Sequence, residues 1–251
     1  MPGLGRLWLI GAGNMGGALL ARWRLAGIEP VVVDPALGAA IPADGTPDII
    51  VLAIKPQVWR AATEALVARV GPDTLVVSIM AGIGIAALKD RWPSARLARA
   101  MPNTPASLGR GVTGMFLDND DAADRGRVEA LFASTGATVW LDRESDFDAL
   151  TAVSGSGPGY VFAFIEALAA AAEAAGLAPD LAARLARATV TGAAALADAD
   201  ERTPGALRQA VTSPNGTTAA GLAVLTPALT RLLCETVAAA QRRSREMGRA
   251  E

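Results

Sequence analysis

The stretch RLWLIGAGNMGGALL, residues 6–20, decides the fold of this 251-residue chain. It joins an apolar β-type run, Arg6–Ile10, to a helical pattern that begins at Asn14, through the motif G-x-G-x-x-G at residues 11–16. The glycines permit a tight turn, a close approach of backbone to pyrophosphate, and close packing of helix on strand. A glycine-rich turn without a ligand is the alternative. The context predicts a dinucleotide cradle formed by Ile10, Gly11, Ala12, Gly13, Asn14 and Met15.

β-type and helical patterns alternate as far as residue 143. Further strands are predicted at Val31–Asp34, Asp48–Ala53, Thr74–Ser78, Arg96–Met101, Val112–Leu117 and Thr138–Leu141. Helices are predicted between them at Asn14–Ala26, Gln57–Val70, Ile83–Asp90 and Asp121–Ser134. This alternation is typical of an α/β fold with a parallel, doubly wound sheet of the Rossmann type.

Only helical patterns follow residue 143. They cover Asp146–Ala152, Gly159–Ala175, Pro179–Ala197, Pro204–Ala210, Gly216–Leu225 and Pro227–Gly248. We therefore expect a dinucleotide-binding domain at residues 1–143 and an all-α domain at residues 144–251. The broad, alanine-rich apolar faces of these helices predict that a second copy covers them, which gives a homodimer or a higher homo-oligomer.

Composition narrows the chemistry. The chain has no histidine, so imidazole catalysis and histidine–metal sites are excluded, and no metal is expected. A net charge of −2 gives no reason to expect a nucleic-acid partner. The single cysteine, Cys234, fits a reducing compartment and is expected to be buried. The N-terminal apolar run is too short for a signal peptide or a membrane span, so we expect a cytoplasmic protein without a membrane partner.

Asp34 closes the second predicted strand and is the expected partner of the adenosine ribose hydroxyls. A carboxylate there repels a 2′-phosphate, and no Arg or Lys occurs from Pro35 to Ile54 to bind one. The pattern favours NAD(H), with NADP(H) as the other possibility. Alternatively, Asp34 only begins the turn at Pro35.

The ends of the later strands form a second group, since open α/β sheets bind ligands at the carboxyl ends of their strands. Lys55 is either a ribose or phosphate ligand or a solvated surface residue. Asn103 either packs beside the nicotinamide ring or caps the turn before Pro105. The cofactor-binding residues expected here are Ala53, Ile54, Lys55, Pro56, Ala81, Gly82 and Asn103.

Six segments carry a family resemblance: IGAGNMGGAL, LAIKPQ, SIMAGI, MPNTP, DALTAVSGSGPGYVF and VTSPNGTTAAGLAVL. With them the chain resembles the 1-pyrroline-5-carboxylate reductases, and the pairing of SGSGPGY with SPNGTT is the most specific part. The resemblance implies NAD(P)H-dependent reduction of the cyclic imine to L-proline, the last step of proline biosynthesis. It also implies helical domains that interlock in a dimer and an active site at their interface.

The same resemblance assigns the substrate residues. Thr218 would face the ring nitrogen as the catalytic residue, and Asn215 stands where the family usually has glycine. Independently, free amides and hydroxyls at a helix start suit a carboxylate, although an ordinary helix cap has the same composition. The substrate-binding residues implied are Ser213, Gly216, Thr217 and Glu201.

Two other functions stay open on sequence alone. Another two-domain imine reductase or a β-hydroxyacid dehydrogenase is one, but the dehydrogenases use a lysine of the helical domain, and no lysine follows Lys89. A non-catalytic NAD-sensing protein is the other, and it has no need of the SPNGTT loop.

Overall fold

A seven-stranded sheet forms the centre of the first part of the chain in a computed structural model that describes residues 3–119 and 121–249. The residues Met1, Pro2, Asp120, Ala250 and Glu251 of the predicted domains lie outside this description. The strands are β1 (Leu7–Ile10), β2 (Val31–Val33), β3 (Ile49–Leu52), β4 (Leu75–Ser78), β5 (Arg96–Met101), β6 (Gly111–Leu117) and β7 (Gly136–Trp140). Their order across the sheet is β2-β1-β3-β4-β5-β6-β7. β2 lies on one side of β1 and β3 lies on the other, so the direction in which strands are added to the sheet reverses between β1 and β3. This confirms the predicted doubly wound Rossmann-type sheet.

One strand pair differs from the expectation of a parallel sheet. β5 and β6 are antiparallel, with Met101 opposite Gly114, whereas every other pair is parallel. Only residues 102–110 connect them, and these hold no more than the 3₁₀ turn Thr104–Leu108. A parallel pair needs a crossover connection of about a dozen residues or more, so this short connection forces the antiparallel arrangement.

Within the residues that the structure describes, five α-helices lie before residue 156 and four after it. The first group is α1 (Asn14–Leu25), α2 (Trp59–Ala62), α3 (Ile85–Arg91), α4 (Ala122–Phe132) and α5 (Phe147–Leu150). The second group is α6 (Gly157–Ala174), α7 (Pro179–Ala199), α8 (Pro204–Ala210) and α9 (Thr217–Arg249).

Two helix predictions are wrong. The helix expected over Gln57–Val70 is divided into 3₁₀ turns on either side of the short α2. At the end of α2 the amide and the hydroxyl of Thr63 both donate to the Trp59 carbonyl, a side-chain bond that is typical of bent or ending helices. The two helices expected on either side of Pro227 form one helix, α9, that passes through the proline. A proline removes one backbone hydrogen bond, and a long helix survives that loss.

Apolar side chains cover both faces of the sheet, because successive residues of a strand point to opposite faces. On one face Leu9, Val51 and Val77 pack with Trp23 of α1 and Phe132 of α4. On the other face the buried residues include Trp8, Ile50, Val76, Trp59 and Trp92. β1, β3 and β4 are therefore buried along their whole length, as the continuous apolar sequence IIVL predicts for β3.

Contacts divide the chain into two compact units. The first contains the residues up to Ser156 together with those from Ala239 onward, and the second is Gly157–Ala238. Residues 144–156, assigned by sequence to the helical domain, pack with the first unit because Phe147 and Ala152 are buried there. The domain boundary after residue 143 stays a prediction.

The second unit buries very little of its own apolar surface. Of residues 157–238, all of which are described, only Ala182 and Ala186 are fully buried, whereas Phe162 is 63% and Val224 80% exposed. Cys234, expected to be buried, is also exposed on α9. α9 is long and apolar enough to cross a membrane, by length and composition only, which is weak evidence for a span. The absence of a membrane partner stays a prediction.

Candidate cofactor and substrate sites

The glycine turn at the end of β1 is as tight as its sequence predicts. Gly11 has a φ of +91°, and a Cβ built on it would lie 2.6 Å from the Ala53 carbonyl oxygen at the end of β3. A Cβ on Gly16 would collide with the Gly11 carbonyl oxygen. Gly13 faces open space instead. Two glycines thus bring helix and strands together, and the third leaves the outer side of the turn accessible.

The first turn of α1 is open to an anion. Gly13 occupies the N-cap position, no side chain caps this end, and no acidic residue lies in the first turn. The free amides at the start of a helix carry a partial positive charge. This end of α1, beside the point where the strand order reverses, therefore fits a pyrophosphate.

The Asp34 carboxylate bonds to two backbone segments. Its Oδ2 accepts from the Ala12 amide at 2.6 Å, and its Oδ1 accepts from the Ala36 amide at 2.9 Å. Asp34 thus caps the 3₁₀ turn Pro35–Leu37 and also holds the glycine turn. The position beside the glycine turn is the one expected for a ribose ligand.

A cavity of about 460 Å³ opens beside Asp34. The ends of β1, β2 and β3 and the turn after Asp34 form its walls. Its lining contains one carboxylate, apolar side chains and backbone, and no Arg or Lys. The lining residues are Ile10, Gly11, Val33, Asp34, Pro35, Gly38, Ala39, Ala40, Ile41, Ile54 and Ala62. A lining of this kind suits the flat apolar faces of an adenine and the hydroxyls of its ribose.

The other residues predicted at strand ends fall into three settings. Lys55 is exposed and precedes the 3₁₀ turn that begins at Pro56. Ala81 and Gly82, the latter with a φ of +82°, lie half-buried after β4. Asn103 is buried, accepts from the Val112 amide at 2.9 Å and donates to the Ser154 carbonyl at 3.1 Å. Its side chain makes no bond that caps the turn before Pro105, so that alternative is wrong.

A partly buried ion pair near the ends of β4 and β5 has no counterpart among the sequence predictions. Arg99 of β5 donates to Glu144 at 2.8 Å, and the same carboxylate oxygen accepts from the Ile85 amide at 2.7 Å. The available signal is Arg99 in the middle of the strand RLARAM, because a buried guanidinium requires a partner. Nothing in the sequence identifies Glu144 as that partner.

The predicted substrate loop lies in the helical unit at the start of α9. The Gly216 amide donates to the Ser213 carbonyl at 3.1 Å, and a Cβ on Gly216 would collide with the Ser213 hydroxyl. Asn215 has a φ of +60°, as expected for a residue that replaces glycine there. Thr217 begins the helix, and the Thr218 side chain is exposed. Four of the predicted residues therefore share one helix start.

Glu201 stands apart from this loop in the described structure. It is exposed in the segment between α7 and α8, and no hydrogen bond or ion pair joins it to residues 213–218. Its neighbours Asp200 and Arg202 pair with each other at 2.7 Å, and the hydrogen bonds from Arg202 lower the pKa of Asp200. The assignment of Glu201 therefore rests on the family resemblance.

A glycine turn at the switch point of a Rossmann-type sheet, in a chain with a second, helical unit, is typical of dinucleotide-binding oxidoreductases. Residues 144–247 match the family model for pyrroline-5-carboxylate reductase dimerisation. A pyrroline-5-carboxylate reductase of Pseudomonas aeruginosa is 38% identical over 239 residues, 86% of this chain and 87% of that protein. The chain belongs to the pyrroline-5-carboxylate reductase family, which confirms the resemblance seen in the sequence.

Solved structures agree with this assignment. A pyrroline-5-carboxylate reductase of Coxiella burnetii matches with a TM-score of 0.88 and 32% identity, covering 98% of this chain and 99% of that one. The Plasmodium falciparum pyrroline carboxylate reductase, solved with NADP bound, matches with a TM-score of 0.81 and 28% identity over 97% and 98%. A pyridine dinucleotide is therefore the cofactor class, and the dimerisation model supports a homo-oligomer.

Proposed function

We propose that this chain reduces 1-pyrroline-5-carboxylate to L-proline with NADH as the preferred cofactor. The observation that carries the reaction is the serine–glycine–threonine loop at the start of α9, in a chain whose first unit holds a dinucleotide cradle. The names of the relatives support the same substrate.

The residues present fit a dinucleotide. The absence of a side chain at Gly16, where a Cβ would collide with the Gly11 carbonyl, allows the tight turn, and the open amides of α1 can bind the pyrophosphate. The 460 Å³ cavity suits the adenosine. When bound, the reduced nicotinamide supplies the hydride for the C=N carbon. Asp34 and a cavity lining without a basic residue support NADH over NADPH.

The substrate loop would act mainly by positioning. The hydroxyls of Ser213 and Thr217 and the amides at the start of α9 would bind the substrate carboxylate, with Gly216 shaping the turn through its bond to the Ser213 carbonyl. Glu201 would lie near the ring. The Thr218 hydroxyl would hold the ring nitrogen and relay a proton to it with water, because a threonine is too weak an acid to protonate it alone. Such positioning supplies a large part of the rate of many enzymes.

A homodimer follows from the exposed apolar faces of α6, α7 and α9. Phe162 and Leu232 are more than half exposed, and surface of this kind is normally covered by a partner. We infer that a second copy covers it, in a homodimer or a higher homo-oligomer. A cytoplasmic location is also part of the proposal, and the single cysteine, Cys234, fits the reducing environment of that compartment.

A spectrophotometric assay tests the proposal. NADH and NADPH oxidation are followed with 1-pyrroline-5-carboxylate, and with a β-hydroxyacid and NAD⁺ as the comparison. The proposal expects rapid turnover of the imine, a higher kcat/KM with NADH, and no turnover of the β-hydroxyacid. NADH binding without any turnover would instead indicate the NAD-sensing alternative.

A further inference from the structure

Residues 79–84 connect β4 to α3 and contain Ala81 and Gly82, which we expect to face the nicotinamide. The last turn of α9 packs against this segment, since a Cβ on Gly82 would lie 3.4 Å from the Gly248 nitrogen. Gly84 occupies the N-cap of α3 and has no side chain to accept from the helix amides. The start of α3 therefore needs a hydrogen-bond acceptor from elsewhere in the chain.

Glu144 supplies that acceptor from a distant part of the sequence. Its Oε1 lies 2.7 Å from the Ile85 nitrogen and 2.8 Å from Nη1 of Arg99. A Cβ on Gly84 would lie 3.2 Å from the same oxygen, so the glycine leaves room for the approach. One carboxylate oxygen thus joins the start of α3 to strand β5.

Arg99 holds the other end of the arrangement. It is opposite Ser78, the last residue of β4, and is only 7% exposed. Its guanidinium lies 4.2 Å from the centre of the Phe147 ring, which fixes its direction. The pair therefore reaches both ends of the connecting segment, with Arg99 beside its beginning and Glu144 bonded to its end.

We propose that Glu144 and Arg99 are positioning residues that fix residues 79–84 for cofactor binding. The inference rests on the proposed placement of the nicotinamide beside Ala81 and Gly82. The bond from the Ile85 amide to Glu144 is the essential contact, because it sets where the segment ends and the helix begins.

A matched pair of double variants tests this contact. Arg99→Met with Glu144→Gln keeps an oxygen acceptor for the Ile85 amide, whereas Arg99→Met with Glu144→Met removes it; neither leaves an unpaired buried charge. By fluorescence titration we expect the dissociation constant for NADH to be about tenfold higher in the Met/Met variant than in the Met/Gln variant, since small misplacements near a bound group are costly. Equal dissociation constants in the two folded variants would overturn the proposal.

A second pair removes the donor instead of the acceptor. Ile85→Pro abolishes the amide at the first helical position, where proline is tolerated, and the extended backbone of Gly84 (φ −86°, ψ 167°) suits a following proline. Ile85→Val keeps the amide and has a similar volume. Weaker NADH binding in the proline variant alone supports the proposal, and this pair decides the question if the double variants do not fold. Asp146→Ala is the control that should bind NADH normally, because Asp146 is a half-buried acid two residues after Glu144 that pairs with the exposed Arg143.

Ala81→Leu separates this inference from the cofactor placement on which it rests. If the leucine variant binds NADH as tightly as the wild type, the nicotinamide does not lie beside this segment, and the positioning role is overturned with it. If the leucine variant binds NADH weakly while the Glu144 and Ile85 variants bind it normally, only the positioning role is wrong.

Discussion

Replacing Asp34 by serine should change the choice between the two cofactors. The carboxylate now accepts from the Ala12 amide at 2.6 Å and from the Ala36 amide at 2.9 Å. A serine hydroxyl still caps the turn at Ala36, but it carries no charge. The variant therefore tests whether the carboxylate selects the cofactor or only holds the backbone.

The size of the effect follows from two terms. A hydrogen bond from a ribose hydroxyl to a carboxylate contributes about 1.5–3 kcal/mol, so kcat/KM with NADH should fall roughly ten- to a hundredfold. The Asp34 carboxylate and a 2′-phosphate about 4 Å apart repel each other by roughly 1 kcal/mol in water and about 4 kcal/mol near a protein surface. Removing the carboxylate should therefore raise kcat/KM with NADPH at least about fivefold. The ratio of the two constants should therefore shift toward NADPH by roughly fiftyfold or more.

The assay measures kcat/KM for both cofactors at a fixed imine concentration. Asp44→Ser is the control, because Asp44 is an exposed aspartate in the same connection between β2 and β3 and lies outside the cavity lining. Thermal unfolding of each variant reports any loss of fold. An equal fall with NADH and NADPH, leaving their ratio unchanged, would show that Asp34 only anchors the glycine turn.

Three further predictions follow. Thr218→Val should lower kcat/KM for the imine roughly ten- to a hundredfold and leave the affinity for NADH unchanged, whereas Ser213→Ala should raise KM more than it lowers kcat. Wild-type kinetics of the valine variant would show that Thr218 only belongs to the helix start. Leu232→Glu, on the exposed apolar face of α9, should yield monomers in sedimentation, whereas Leu25→Glu in the first unit should not, and an active wild-type monomer would refute the dimer. Asp121→Ala should lower Tm at neutral pH, because the first amides of α4 donate hydrogen bonds to the Asp121 carboxylate and lower its pKa. The stability that these bonds contribute is complete above the ordinary pKa of 3.8 and is lost as the pH falls below it. The difference in Tm between the variant and the wild type should therefore disappear in acid.

The sheet could be predicted from the sequence because its signals are local. A strand covered on both faces is a continuous apolar run, and Asp48–Ala53 was assigned within one residue of the observed β3 at each end. The direction of β6 could not be predicted in the same way. It depends on how the chain returns after residues 102–110, which is a property of the connection rather than of the strand.

Errors arose where a contact distant in sequence or a side-chain bond overrides the local pattern. The apolar spacing of Gln57–Val70 fits a helix, and Trp59 and Leu66 are indeed buried, but the Thr63 hydroxyl bonds back to the Trp59 carbonyl where α2 gives way to a 3₁₀ turn. The acceptor at the start of α3 comes from Glu144, and no spacing rule links two residues so far apart in the chain.

The two halves of the candidate site differ in how directly the sequence encodes them. In the cofactor half the absent side chains are the signal, since Gly11 and Gly16 each leave space that a Cβ would fill with a collision. In the substrate half Ser213 and Thr218 are polar residues at a helix start, a composition that an ordinary cap shares. Backbone geometry therefore supports the cofactor assignment without any relative, whereas the roles of the loop hydroxyls depend on the family. Kinetics of the Thr218 and Ser213 variants consequently test the part of the proposal for which the physical argument from the chain alone is weakest.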